Sequence, residues 1–131
     1  SPRLVVYNDE NRSGYERVLG RDPLSPEDRG NGLLRRASDF AVDAAHDRAF
    51  VVNAGADRVE VFRAGEYLTR WGDGGETAGA FRFSGMAQVV DDIQNGSLIQ
   101  RRVAAGGVAL DREGFVLVAD TFNDRVQKFR Q

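Results

Sequence analysis

Two short stretches carry the polar residues whose types and spacing could do chemistry. Asn53, Asp57 and Arg58 lie in one, and Asp120, Asn123 and Arg125 in the other, with the Asn53-to-Arg58 interval repeated from Asp120 to Arg125. Such a pattern can brace a turn: the amide or carboxylate accepts loop N–H groups and the guanidinium pairs across. It can also present contact groups to a ligand. In that case the loops Ala54–Asp57 and Thr121–Asp124 make the contacts, with Phe122 as an exposed anchor.

Other candidates are weaker. His46 is the sole histidine and falls in a turn, whereas zinc enzymes assemble several ligands. No nucleophile elbow supports a Ser-His-Asp arrangement. Gly72–Gly79 is glycine-rich but lacks the Gly-Lys-Ser/Thr ending and the helix that a phosphate cradle requires. Asp73 and Glu76 do not follow the ligand spacing of a Ca²⁺ loop. Asp91 and Asp92 would point to opposite faces of a strand. Catalytic residues, metal ligands and cofactors are therefore not expected. Arg35-Arg36 and Arg101-Arg102 are the basic pairs, each just before the first strand of a unit, which places them on the same rim. They read as solvated charge or as the seat of an anionic partner, RNA or an acidic protein. Aromatics for base stacking are not interleaved with them, so nucleic acid is disfavoured. Asn11-Arg12-Ser13 and Asn95-Gly96-Ser97 are glycosylation sequons by pattern alone.

The elements that must position these residues are short strands. The chain has 131 residues, a net charge of −2, 41% hydrophobic and 29% charged residues, and no cysteine. Those values fit one domain with a core and exclude disulfides and thiolate metal sites. No apolar run is long enough to span a bilayer as a helix. The opening Ser-Pro-Arg has no apolar run of a signal peptide, and the sequence assigns no compartment. All but one of the 18 basic residues are Arg, read here as the codon bias of a GC-rich bacterium.

Arg3–Tyr7 and the stretch around Val18-Leu19 read as strands, with a polar turn over 8–14 between them. Residues 21–31, with Pro23 and Pro26, make a surface loop that Leu33-Leu34 tucks onto the body. Phe40–Asp43, Ala49–Asn53, Arg58–Phe62 and Tyr67–Trp71 form an antiparallel meander. Ala49–Asn53 is apolar without alternation and is expected to be covered on both faces. Arg58–Phe62 alternates, as a strand nearer the surface would. Met86–Val90 and Ser97–Val103 flank a polar turn ending in Asn95-Gly96. They read either as an inserted hairpin or as a degenerate unit. The chain then repeats itself: Gly107–Asp111, Phe115–Ala119 and Arg125–Phe129 copy 39–62. Asp43 matches Asp111, Asn53 matches Asp120, Arg58 matches Arg125 and Phe62 matches Phe129. Asp111-Arg112-Glu113-Gly114 fits a type I turn closed by glycine, and the longer turn after Asp43 is read the same way.

A four-stranded unit repeated along a chain suggests a propeller blade. The run Gly-Val-Ala-Leu-Asp-Arg-Glu-Gly-Phe-Val-Leu-Val-Ala-Asp-Thr-Phe-Asn-Asp-Arg-Val-Gln-Lys-Phe at 107–129 closely resembles the NHL repeat, and 39–72 resembles it well, with Asn53 in place of the usual Asp. The resemblance covers roughly two thirds of the chain and leaves loops 21–38 and 84–105 outside. It implies an all-β fold of NHL type with four-stranded antiparallel blades: residues 3–20 as the back half of one blade, 39–72 as a full blade, 84–105 as insertion or degenerate strands, and 106–130 as a blade lacking its fourth strand. Two blades and an extra strand do not close a ring. The expectation is therefore a piece of a longer propeller, or copies that assemble, three of them completing six blades. The function implied is a non-catalytic scaffold binding protein through its loops at Asn53, Asp57, Arg58, Asp120, Phe122, Asn123 and Arg125. The alternatives are a metal-dependent lactonase- or lyase-like propeller enzyme and an RNA-binding module.

Overall fold

Runs of β-branched and aromatic residues, punctuated by Gly and Asp, become eleven short strands among the described residues. The computed structural model describes residues 4–6 and 17–131. The expected turn at 8–14, the strand ends at Arg3, Tyr7 and Tyr15, and the Asn11-Arg12-Ser13 sequon lie outside the described residues. The chain is all-β with antiparallel sheets.

Strands β1 (Leu4–Val6) and β2 (Arg17–Leu19) pair with each other. Strands β3 (Ala37–Asp43), β4 (Arg48–Asn53), β5 (Arg58–Arg63) and β6 (Glu66–Trp71) form a four-stranded meander. Strands β7 (Ser84–Asp92) and β8 (Ser97–Ala104) form a hairpin of their own. Strands β9 (Gly107–Leu110), β10 (Val116–Asp120) and β11 (Arg125–Phe129) form a three-stranded sheet.

The turns repeat as faithfully as the strands. One-turn 3₁₀ segments at Ala44–His46, Ala54–Ala56 and Thr121–Asn123 each end on an aspartate in the left-handed region. Asp47, Asp57 and Asp124 have φ of 50°, 53° and 52°, which Asp tolerates better than most side chains. The turn after Asp43 therefore belongs with the other two 3₁₀ turns and not with the Asp111 turn. In the latter, Asp111 accepts from the N–H groups of Glu113 and Phe115, and Gly114 closes the loop onto the Asp111 carbonyl.

Packing is face to face. Phe50 and Val52 on β4, with Val59 and Val61 on β5, meet Val108, Val116 and Val118 of the second sheet across Phe81 and Phe83. Trp71 lies edge-on to Phe50 and Phe129, and Phe81 stacks on Phe83 at 4.7 Å. The opposite face of the first sheet, with Val51 and Phe62, packs on Leu19 and Leu34. Each of these large side chains contributes about 1.5–3 kcal/mol through burial. The first strands of the two sheets run side by side: Asp39 Oδ2 accepts from the Val108 N–H at 2.9 Å, and Ser38 Oγ donates to the Gly106 carbonyl at 3.0 Å.

Strand β5 departs from the sequence expectation. It is buried on both faces from Arg58 to Phe62, and Glu60 is wholly buried. Its alternation of polar and apolar residues marks an internal polar contact, described below, and not a surface. The Asn95-Gly96 turn is also longer than a two-residue hairpin. Asp92 caps it, accepting from the N–H groups of Gln94 and Asn95, while the Gly96 N–H donates to the Asp92 carbonyl.

Gly72 ends β6 at φ 98°, and a Cβ there would collide with the Phe81 ring. Gly79 has a similar φ of 83° with nothing near its missing Cβ. Gly79→Ala is expected to cost about 1–2 kcal/mol, the left-handed backbone strain alone. Gly72→Ala adds an overpacking penalty of about 1–3 kcal/mol. Urea denaturation midpoints of the two variants check the order.

Candidate functional site

The expected site residues come together in two equivalent clusters, one on each sheet. Each cluster grips the segment that leads into its own sheet. The lead-in of the first sheet is residues 29–35 and that of the second is residues 76–82. They correspond position by position: Arg29, Gly30, Gly32, Leu33, Leu34 and Arg35 stand where Glu76, Thr77, Gly79, Ala80, Phe81 and Arg82 stand.

Asn53 and Asp120 are completely buried at the ends of β4 and β10. Neither caps the 3₁₀ turn that follows it. Both reach instead to the lead-in, so the expected turn brace is in fact a brace between segments. Asn53 Oδ1 accepts the Arg35 N–H at 2.6 Å, and Asp120 Oδ1 accepts the Arg82 N–H at 2.7 Å. The turns answer in the opposite sense. The Gly55 N–H donates to the Arg35 carbonyl at 2.7 Å, and the Phe122 N–H donates to the Arg82 carbonyl at 3.0 Å. The arginines close the grip. Arg58 donates to the carbonyls of Arg29 and Gly30, and Arg125 to those of Glu76, Thr77 and Ala80.

A pair of residues completes each cluster in reciprocal fashion. In the first, the amide of Asn53 donates to the Leu33 carbonyl and to the Glu60 carboxylate, and Glu60 Oε1 accepts the Gly32 N–H at 2.9 Å. In the second, the amide of Gln127 donates to the Ala80 carbonyl and to the Asp120 carboxylate, and Gln127 Oε1 accepts the Gly79 N–H at 2.9 Å. The amide and the carboxylate have exchanged positions, yet the same lead-in groups are satisfied. Glu60 and Gln127 were not among the expected residues. The recurrence of Gly, two apolar residues and Arg at 32–35 and 79–82 was the sequence signal for this pairing.

The charges follow from the contacts. Burial alone would raise the Asp120 carboxyl. The Arg82 N–H, the Asn123 amide and the Arg125 guanidinium at 2.8 Å outweigh it and hold the group below the usual carboxylate range. Burial beside Arg70 lowers Arg58, partly offset by Glu60. In the loop before the first lead-in, Arg21 clamps Asp28 with two bonds, and the Leu24 and Gly30 N–H groups add to it. Together they place the Asp28 carboxyl well below its ordinary value.

The remaining expected residues act in the same grip. Asp57 Oδ1 accepts the Phe83 N–H at 2.7 Å, tying the first sheet to the segment after the second lead-in. Asn123 donates to Asp120 and to the Gly75 carbonyl. Phe122 is half-buried and covers Gly85, where no Cβ would fit beneath its ring. The amides of the Gly72–Gly79 loop point inward, with Gly75 N–H on the Phe81 carbonyl and Gly79 N–H on Gln127. His46 sits exposed beside Asp43 at 2.7 Å. Among the described residues, no group of three or more His, Asp or Glu is placed to hold a metal. Comparison with protein-family models and with curated proteins finds no match.

The exchange can be tested directly. Asp120→Asn sets an amide against the donors Asn123, Arg125 and Gln127, and is expected to cost about 2–4 kcal/mol. Adding Gln127→Glu recreates the Asn53–Glu60 arrangement and should recover most of that loss in a double-mutant cycle. The pH dependence has a definite sign. Asp120 has a depressed folded value, so its contribution is complete above the unfolded carboxylate value of about 3.9 and is lost as pH falls through the folded one. Acid unfolding followed by circular dichroism should therefore be shallower below about pH 4 in Asp120→Asn than in the parent.

Proposed function

We propose that this chain is a segment of an NHL-type β-propeller that acts by binding a protein. Its ring is completed by further copies of itself or by more of a longer parent chain. The observation that carries this reading is how the units stack. One face of the first sheet receives Leu19 and Leu34, and its opposite face packs on the second sheet. The relation is head to tail, with β3 beside β9 and an equivalent grip on each lead-in, so each added unit would repeat the same operation. Heterologous contacts of this kind build rings where the rotation between units closes.

Three features support binding at the ends of this array. The back of the second sheet carries Leu117 and Ala119, half-buried, with Val126 at 68% exposure beside them. Strand β11 has no partner on its outer edge among the described residues. Beside that edge lies a cleft of about 400 Å³ whose apolar wall is Phe50, Val61, Leu68, Trp71 and Phe129, with Arg48, Arg70 and Arg130 also lining it. The Trp71 indole N–H is buried there without a partner among the described residues. A strand laid along β11 would supply the backbone pairing that extended peptides use on sheet edges. The turns at 54–57 and 121–124, on the end of the sheets where the grips lie, expose Gly55, Thr121 and Asp124 and are the loops through which a protein is met.

Mass in solution tests the reading. Sedimentation equilibrium should give a mass above that of one chain, three copies for a six-unit ring. Val126→Asp, which places a charge on the back face, should shift the population toward smaller species. A well-folded monomer at all concentrations, unchanged by that substitution, would overturn both routes to completion.

A further inference from the structure

A cleft of about 410 Å³ opens at the end of the sheets where the grips lie, lined by Arg29, Arg35, Arg36, Gly55, Ser84 and Arg102. Four arginines face it, and among the described residues no carboxylate does. None of the four is ion-paired among the described residues. Asp28, next to Arg29 in sequence, has its carboxylate engaged by Arg21, Leu24 and Gly30, and Asp39, three residues from Arg36, accepts the Phe40 and Val108 N–H groups. Among the described residues, Arg29 and Arg35 donate only to backbone carbonyls, those of Pro26 and Asp28. The Arg35 Nε–H is buried with no acceptor among the described residues. Arg36 is held in the left-handed region at φ 54°, a cost for a side chain of its size.

The second lead-in serves as an internal control. There, Arg82 occupies the place of Arg35, and Glu76 the place of Arg29. Arg82 and Glu76 form an ion pair at 2.7 Å. In the first lead-in the acid is replaced by a second arginine, so the charge that neutralises the repeat elsewhere is reversed. The hairpin then brings Arg102 from β8 and the Ser84 hydroxyl from β7 to the same opening. Gly55 lets its turn pack tightly on the lead-in beside the cleft, since a Cβ there would lie 2.6 Å from the Arg35 carbonyl oxygen.

We propose that this cleft binds a phosphoryl oxyanion. Planar guanidinium groups offer paired N–H donors that match phosphate oxygens, and four uncompensated cations repel one another until an anion joins them. A cleft of this volume accommodates a small phosphorylated group or a phosphorylated side chain. Among the described residues no aromatic ring lines it, which disfavours a nucleic acid strand held by base stacking. The site belongs to this chain alone and stands whether or not a propeller ring is built.

Isothermal titration of the full chain with inorganic pyrophosphate, and separately with a phosphoserine peptide, tests the proposal. At least one probe should saturate. Arg36→Ala with Arg102→Ala should weaken it at least tenfold. Arg29→Glu should abolish it by restoring the ion pair found at Arg82 and Glu76, with an unchanged thermal melt. Arg101→Ala, on the other face of the hairpin, should leave affinity within twofold. Tighter pyrophosphate binding assigns a free small molecule as the source. Tighter phosphopeptide binding, lost without the phosphate, assigns a modified partner. Saturation by neither probe, undiminished binding in Arg29→Glu, or preference for single-stranded RNA over both probes would overturn it.

Discussion

The structure depends on a buried acceptor at the end of a central strand meeting a backbone N–H from the segment that enters the same sheet. Asn53 and Asp120 provide it, to Arg35 and Arg82. A lead-in without regular pairing would otherwise bury N–H and C=O groups with no partners, each a penalty of about 1–3 kcal/mol. By meeting them, the grip lets Leu34, Phe81 and Phe83 enter the core from segments that belong to no sheet. Packing between sheets thus rests on polar contacts at their ends, because the phenylalanines between the sheets are held there by the second lead-in.

The two grips show how such a network tolerates change. Each needs one carboxylate or amide oxygen for the incoming N–H and one amide donor for a lead-in carbonyl. Which strand supplies which group is free. Asn53 with Glu60 and Asp120 with Gln127 are two solutions of one set of donors and acceptors. A half-exchanged pair sets donor against donor in a dry environment, so the positions are coupled although each alone looks variable. This is why Glu60 sits buried on a strand whose pattern resembles a surface strand.

Much of the fold was legible, since the strands from Phe40 to Trp71 and from Gly107 to Phe129 follow directly from β-type runs between turn residues. The equal spacing of Asn53–Arg58 and Asp120–Arg125 also revealed that these residues serve one architectural purpose. Their partners were less visible. They lie in segments rich in Gly and Pro that read as loops, and hydrogen bonds to backbone carbonyls leave little trace in side-chain identity. Glu60 was misread because a period of two cannot separate a face turned to water from one turned to a buried polar segment. The paired arginines were legible as neighbours on a rim. The alliance of Arg35 and Arg36 with Arg29 and Arg102 required the hairpin to be placed.

That hairpin enters where the second lead-in passes to β9, a passage the first copy makes directly from Arg36 into β3. Its two ends return to within one hydrogen bond, Ala105 N–H to the Phe83 carbonyl at 2.7 Å. A closed stem isolates everything beyond it from the packing below, since loop closure is already met at the base and added length costs little. The junction is therefore a graft point. Arms of other lengths and surfaces, including ones with the apolar display of Met86, Val90 and Leu98, could be exchanged there while the sheets beneath keep their register.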